Sequence, residues 1–449
     1  MSDIDVAILG GGACGMFAAL RAAANPDLAI VIFEKSTDEW CNTQVSSGSL
    51  AAGGTRFQRQ AGIEDSPQRH ADDILAVSRD ESTRDLVEAL CVVAPRYTEW
   101  LADALDYPIE IGIDMPRGGQ SVPRLHTDRG RQGGQFFVRR LREAVLAMPN
   151  IAFVDRTPGI GLLTDDNAVV GVRVLESTGE ADVTAGAVVL ATDGFAANTT
   201  LLAKYVPDAV GDYFSGVSTS TGDALSWALD LGATTRHMAS FLGHGLVVPG
   251  HGTRLNPSLP FRGALLVTLA GERFVNEHEH GYSSLGIHVR ALPERRAVIL
   301  WPTSIHEAVL NSELMRESER AGAFRRFDDL GALCRTLDVD EAGLARTLST
   351  FVSRDDVTGV EQQLTWPLYA AWVTSGILTT QGGLDVDLRG RVLHRSGSAI
   401  PGLFAGGGTA IGISGADSSG YSSGNGLLSA CGLGWIIGND LAQRGGSAG

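Results

Sequence analysis

The sequence predicts an α/β fold in two domains, a parallel-sheet domain interrupted by an inserted α+β segment. Three observations predict it. An apolar strand, a glycine turn and an alanine-rich helix open the chain, and buried-type strands return at residues 187–192 and 402–408. Between these, residues 236–367 mix polar positions with helical stretches around Ser304 to Arg320 and Asp338 to Val352. With 449 residues the chain exceeds what one core usually organises.

Asp5 to Leu9 is the first strand, followed by Gly10-Gly11-Gly12-Ala13-Cys14-Gly15 and the helical run Met16 to Ala24. A second strand, Leu28 to Phe33, ends at Glu34, 19 residues after Gly15, which is the spacing of an acid that binds ribose hydroxyls. Each glycine has a reason: Gly10 makes the turn, Gly12 lets backbone approach a pyrophosphate, and Gly15 lets helix pack on strand. The helix N-terminus then faces the phosphates, so a dinucleotide site is expected.

Composition excludes several partners. A formal charge of −16 removes the general attraction to nucleic acid and to anionic membrane surfaces. No apolar run is long enough to span a bilayer, and the opening MSDIDVAILGGG lacks the pattern of a secretory signal. Cys14, Cys41, Cys91, Cys334 and Cys431 are scattered without a CxxC pair or metal-ligand spacing, so the expectation is a cytoplasmic protein with reduced thiols and no metal.

The first motif alone serves nicotinamide and flavin enzymes equally; the rest of the chain chooses. Glu34-Lys35, Asn42-Thr43 and Ser46-Ser47-Gly48-Ser49-Leu50-Ala51-Ala52-Gly53-Gly54 resemble the flavin-facing segment of the fumarate reductase and succinate dehydrogenase flavoproteins. The resemblance continues through Leu190-Ala191-Thr192-Asp193-Gly194-Phe195, Thr221-Gly222-Asp223-Ala224, the segment from Gly271 to Glu277, Thr380-Gln381-Gly382-Gly383, the stretch from Ile400 to Gly407, and Ser423-Gly424-Asn425-Gly426-Leu427. It covers nearly the whole chain in order. It implies a Rossmann-like FAD-binding domain of the glutathione reductase type (1–235 and 368–449) and a capping domain (236–367) that closes over the isoalloxazine. The cofactor positions it implies are Gly10, Gly12, Ala13, Cys14, Gly15, Glu34, Lys35, Asn42, Thr43, Ser47, Gly48, Thr192, Asp193, Gly407, Asn425 and Leu427. Asn42 stands where relatives with covalent flavin carry His, so FAD is expected to be non-covalent. Asp193 replaces a usual glycine, and Gly408 stands where many relatives carry Glu, so the contacts to FAD are expected to differ in detail. No second dinucleotide fingerprint appears, and a separate electron donor or acceptor is therefore expected.

The catalytic positions depart from the dicarboxylate reducers. Their two arginines fall on Gly281, beside Tyr282, and on Tyr421; their substrate histidine falls on Thr379, and their relay carboxylate on Leu259, although Arg262 is retained. Two carboxylates need cationic partners. The tyrosines resemble instead the 3-ketosteroid dehydrogenase branch, which implies that Tyr421 hydroxyl and the Asn425 N–H polarise a ketone and Tyr282 takes the adjacent proton. His126, Arg262, Thr379, Thr380 and Tyr421 are the expected substrate contacts; His244, His280 and Arg124 are weaker candidates, with structural roles as the alternative.

Three functions follow from this reading. The first is a dehydrogenase introducing a C=C bond α,β to a ketone in a cyclic substrate, a ketosteroid or a smaller oxocyclohexane. The second is a reductase of an unsaturated carboxylic acid, and the third a flavin-binding protein whose catalytic site has decayed.

Overall fold

A computed structural model describes residues 2–115, 118–279, 281–310 and 312–444. His280 lies outside the described residues. In the first part of the chain come β1 (Ile4–Leu9), α1 (Ala13–Ala22), β2 (Ile30–Phe33), β3 (Ile151–Val154) and β4 (Gly179–Leu190). The second sheet and the return follow as β5 (Phe241–Val248), α2 (Tyr282–Arg290), β6 (Arg296–Pro302), β7 (Leu368–Thr380), β8 (Ala399–Ala405) and α3 (Asn425–Arg444).

The first sheet runs β8-β4-β1-β2-β3, all parallel, with an antiparallel edge strand at Arg391–Leu393. β1 is central and apolar throughout its last four residues because both faces are covered, the condition for a parallel sheet. Gly159–Asp165 and Ala168–Glu176 form an antiparallel meander that leads into β4. The resulting α/β architecture matches the fold expected from the glycine turn and its flanking strands.

α1 and α3 pack side by side with the same polarity. A Cβ at Gly434 would meet the Cys14 carbonyl oxygen at 2.5 Å, and one at Gly438 would meet that of Ala18 at 2.4 Å. These glycines, one helical turn apart, set how closely the helices approach. Because the contact begins nine residues into α3, the N-terminus of α3 projects roughly 12 Å beyond that of α1 at about 1.5 Å per residue. Two helix N-termini are thus staggered along one side of the fold.

The second sheet has order β5-β7-β6, extended by Thr253–Arg254 beside β5 and Leu265–Val267 beside β6. Both of its faces are buried in separate cores. Ala297, Ile299 and Trp301 of β6 enter one, with Leu285 and Val289 of α2; Val298 and Leu300 enter the other, with Leu333 and Leu344. Alternation along the strand produces this division. β7 is the central strand, so the second sheet draws on residues past the limit of 367 expected from composition. Tyr213–Phe214 also pairs with β7, at Gly376 and Ile377, well before residue 236. Among the described residues no helix is long and apolar enough to cross a membrane.

Candidate active site

At the start of α1, Gly12 is the N-cap with extended backbone and no capping side chain. Ala13 N–H donates to Thr43 Oγ1 at 3.2 Å, and Gly11 N–H donates to Glu34 Oε2 at 2.6 Å. The glycines differ in what demands them. A Cβ at Gly10 (φ +108°) would meet the Ala191 carbonyl oxygen at 2.2 Å, and one at Gly15 would meet that of Gly10 at 2.0 Å. At Gly12 the nearest atom would be Thr43 Oγ1, at 3.7 Å. The protein itself does not require glycine there; an approaching phosphate does.

The cradle continues across the sheet ends. Asp193, at φ +67°, accepts hydrogen bonds from Asn42 and Ser220. Its Oδ1 lies 2.2 Å from where a Cβ at Gly408 would sit. Thr192 and Thr409 hydroxyls lie 3.3 Å apart, Lys35 pairs with Asp223 at 3.4 Å, and Cys14 sits beneath Gly407. Burial pushes the Cys14 thiol up to about 12, so it is an inert packing group. At the start of α3, the buried Asn425 Oδ1 has no hydrogen-bond partner among the described residues, while its Nδ2 donates to Ser414 Oγ at 3.2 Å. Uncapped helix start, vacant space at Gly12 and orphaned amide oxygen together fit a dinucleotide laid across the N-termini of α1 and α3.

Beyond this cradle lies a cluster of rings. Tyr282, the first residue of α2, packs edge-on to Tyr421 with centroids 6.0 Å apart, and against His244 of β5 at 5.2 Å. Gly426 N–H lies 3.4 Å from the Tyr421 hydroxyl. Burial, and then the neighbouring Tyr421 phenol, hold the Tyr282 hydroxyl well above the usual tyrosine range; burial raises Tyr421 also. His244 is buried, and its Nδ1 accepts the Leu246 N–H at 3.1 Å. Burial keeps its pKa far below 6.5, so the ring is neutral with its proton on Nε2. Ser283, next to Tyr282, takes the Gly243 N–H at 3.0 Å and donates to the Ser418 carbonyl at 2.9 Å, tying the Tyr421 loop to the second sheet.

A family model described as an FAD binding domain matches residues 5–427. The chain belongs to this FAD-binding family. Among curated relatives, the fumarate reductase (cytochrome) of Shewanella frigidimarina is 27% identical over 98% of the chain and 77% of its own length. The urocanate reductase of Eggerthella lenta is 27% identical over 96% of the chain and 72% of its length. The NADH:fumarate oxidoreductase of Klebsiella pneumoniae is also 27% identical, but the chain spans only 48% of that protein. Of solved structures, a flavocytochrome c3 fumarate reductase superposes with TM-score 0.80 at 25% identity, over 98% of the chain and 78% of its own. The 3-ketosteroid Δ1-dehydrogenase of Sterolibacterium denitrificans gives TM-score 0.80 at 20% identity, over 98% and 99%, which shows a shared fold. The protein is an FAD-dependent oxidoreductase of the type that acts on carbon–carbon bonds.

In this FAD-dependent oxidoreductase several expected residues are placed differently. The Asn425 N–H donates to the Ser422 carbonyl at 3.1 Å, so the amide beside Tyr421 is that of Gly426, one residue further into α3. Glu34 uses both carboxylate oxygens on backbone N–H groups, of Gly11 and Ser36. His126 is fully engaged: Nδ1–H donates to the Arg124 carbonyl at 2.8 Å and Nε2 accepts from Thr55 Oγ1 at 2.8 Å. Arg124 is buried in ion pairs with Asp65, at 2.7 Å, and Asp73. Arg262 pairs with Asp355 at 3.3 Å and donates to the Asp114 carbonyl at 2.9 Å. Thr380 Oγ1 accepts the Phe195 N–H at 3.1 Å, beside the cofactor segment, and Thr379 lies opposite Leu242 in the β5–β7 ladder. Ser47 Oγ donates to Ser49, Gly48 backs onto Gly133, and Leu427 is buried in the main core.

Arg254 is the residue that sequence reasoning missed. It carries no motif, but its charge acts on both His244 and Tyr282. Only the hairpin of β5 with Thr253–Arg254 brings it there.

Proposed function

We propose that this enzyme introduces a C=C bond α,β to a ketone in a cyclic substrate. The observation that carries the reading is the Tyr282–Tyr421 pair, with the Gly426 N–H 3.4 Å from the Tyr421 hydroxyl; Tyr421 stands at one arginine position of the dicarboxylate reducers and Tyr282 beside the other, Gly281. The Gly426 N–H donates to the Tyr421 oxygen, which leaves the phenol O–H as the donor to a substrate carbonyl oxygen, and that bond acidifies the adjacent C–H. Tyr282 then takes the α-proton, and neutral His244, with its Nε2–H, orients the ring. FAD, when bound, supplies the hydride acceptor for the β-carbon. Leu259, buried in the apolar core where the reducers carry a relay carboxylate, supports a proton path through Tyr282 instead. Reoxidation calls for a separate electron acceptor.

A second reading, reduction of an unsaturated carboxylic acid, draws on the raised pKa of Tyr282, since a protonated phenol is a donor at neutral pH. Anaerobic mixing of oxidised holoprotein with cyclic ketones and with saturated acids separates the two. Flavin bleaching by ketones, lost in Tyr421→Phe, supports desaturation; bleaching by dicarboxylates alone overturns it. Absence of bleaching, with no reoxidation of reduced protein by enones or unsaturated acids, points to a decayed site.

A further inference from the structure

We propose that Arg254 binds a carboxylate on the substrate, so that the cyclic substrate is an oxo acid rather than a neutral ketone. The inference rests on the ring-cluster site proposed above and adds the class of substrate that it takes.

Arg254 is held in place by its backbone. It lies opposite Val247 in the hairpin, and its carbonyl accepts the Ser318 hydroxyl at 2.9 Å. Its neighbours Thr253 and Leu255 are used elsewhere: Thr253 meets Ser318 at 2.9 Å, and Leu255 is buried in one core of the second sheet. Alternation along the strand turns Arg254 away from both.

The guanidinium has no ordinary reason to be there. Among the described residues none forms an ion pair or hydrogen bond with it, unlike Arg124, Arg262 and Arg290, each of which has a carboxylate partner. The carboxylate whose charge reaches it, Glu317, belongs to an exposed position on the helix Glu313–Arg320 and is not in contact. Burial lowers the pKa of Arg254, yet the side chain keeps part of its surface accessible. A cation this far enclosed, with no ion-pair or hydrogen-bond partner among the described residues and with part of the residue still accessible, is open to an anion from outside. Leaving such a charge without a partner is costly, and an entering anion removes that cost.

Its position selects the anion. The charge acts on His244 and on the Tyr282 hydroxyl, the groups proposed to handle the reacting carbons. A planar guanidinium matches a carboxylate in bidentate fashion. One carboxylate at Arg254 and one ketone oxygen at the Tyr421 hydroxyl would fix a small ring at both ends. The net charge of −16 makes a local cation the means of holding such an anion.

The test uses FAD-loaded protein and its Arg254→Gln and Arg254→Lys variants, with flavin content and thermal midpoint as fold controls. Cyclohexanecarboxylate and its primary amide are titrated against the flavin absorbance, and 4-oxocyclohexanecarboxylate and its methyl ester are compared for anaerobic flavin reduction. The wild type is expected to bind the acid about 10- to 100-fold more tightly than the amide, the range for hydrogen bonds to a charged group. Arg254→Gln is expected to abolish that preference by weakening the binding of the acid and not that of the amide, with partial recovery in Arg254→Lys. Equal binding of acid and amide in the wild type overturns the proposal, as does an acid preference that survives Arg254→Gln. If the acid preference depends on Arg254 but no ketone reduces the flavin, the carboxylate site stands and the ketone desaturation falls. If ketones reduce the flavin with no dependence on Arg254, the reverse holds.

Discussion

The carboxylate of Asp193 occupies the space that any side chain at position 408 would need, with Oδ1 2.2 Å from the site of a Cβ on Gly408. The two departures from the family pattern, an acid at 193 and a glycine at 408, are therefore one feature. Gly408→Ala is expected to cost about 1–3 kcal/mol through overpacking and to lower the flavin content of the purified protein. Adding Asp193→Gly to the same chain should recover part of the thermal midpoint: glycine adopts the left-handed backbone of that position freely, while the Gly194 backbone nitrogen stays 2.9 Å from the added Cβ. A double variant no more stable than Gly408→Ala would show that the two positions are independent.

Gly12 and Gly15 should respond to alanine in opposite ways. At Gly12 a methyl group meets no protein atom closer than 3.7 Å, so Gly12→Ala should fold with an unchanged thermal midpoint as apoprotein but lose FAD. At Gly15 the methyl would be 2.0 Å from the Gly10 carbonyl oxygen, and Gly15→Ala should fail to accumulate as folded protein. Equilibrium dialysis with FAD, paired with calorimetry of the apoprotein, reads both. Full FAD affinity in Gly12→Ala would remove the pyrophosphate from this turn.

Tyr282 is held well above pKa 10 by burial, so the phenol is protonated throughout the neutral range. As a base it must lose that proton first. The rate constant for flavin reduction by a saturated ketone should rise with pH from 6 to 10 without reaching a plateau, and Tyr282→Phe should lower it about 10²- to 10⁴-fold. A plateau near neutrality that persists in Tyr282→Phe would assign the proton step to another group.

His126 and His70 make the fold acid-sensitive. Burial lowers their pKa to about 4 and about 3, against an ordinary value of 6.5. Below 6.5 the unfolded chain takes up protons that the folded chain refuses, so their stabilisation is complete above about pH 6.5 and is lost as pH falls toward the folded values. For His126 the loss is on the order of 3 kcal/mol. Urea midpoints measured between pH 7 and 4 should fall accordingly, and His126→Gln should flatten part of the slope. A midpoint constant over that range would contradict neutral burial of these rings.

The nucleotide-binding fold was legible in the sequence because its determinants are local. A strand, a turn that only glycine can make at Gly10, and a helix that only glycine at 15 lets pack on that turn all start within a dozen residues, and each is imposed by backbone sterics that the chain carries wherever it goes. The tyrosines could be singled out because Tyr421 lies four residues before Asn425 and Tyr282 lies five after Glu277, one more than the family spacing. What joins them was not legible. That Gly426 rather than Asn425 presents its N–H to Tyr421 depends on the Ser422 carbonyl capturing the amide of Asn425 as α3 begins. That Arg124 and Arg262 are spent on Asp65, Asp73 and Asp355 depends on partners between 51 and 93 residues away. Arg254, with no motif at all, reaches the ring cluster only because the second sheet folds its hairpin beside α2. A charge's partner is set by distance in space, and for these residues only the packing of the second sheet against the cofactor domain decides that distance.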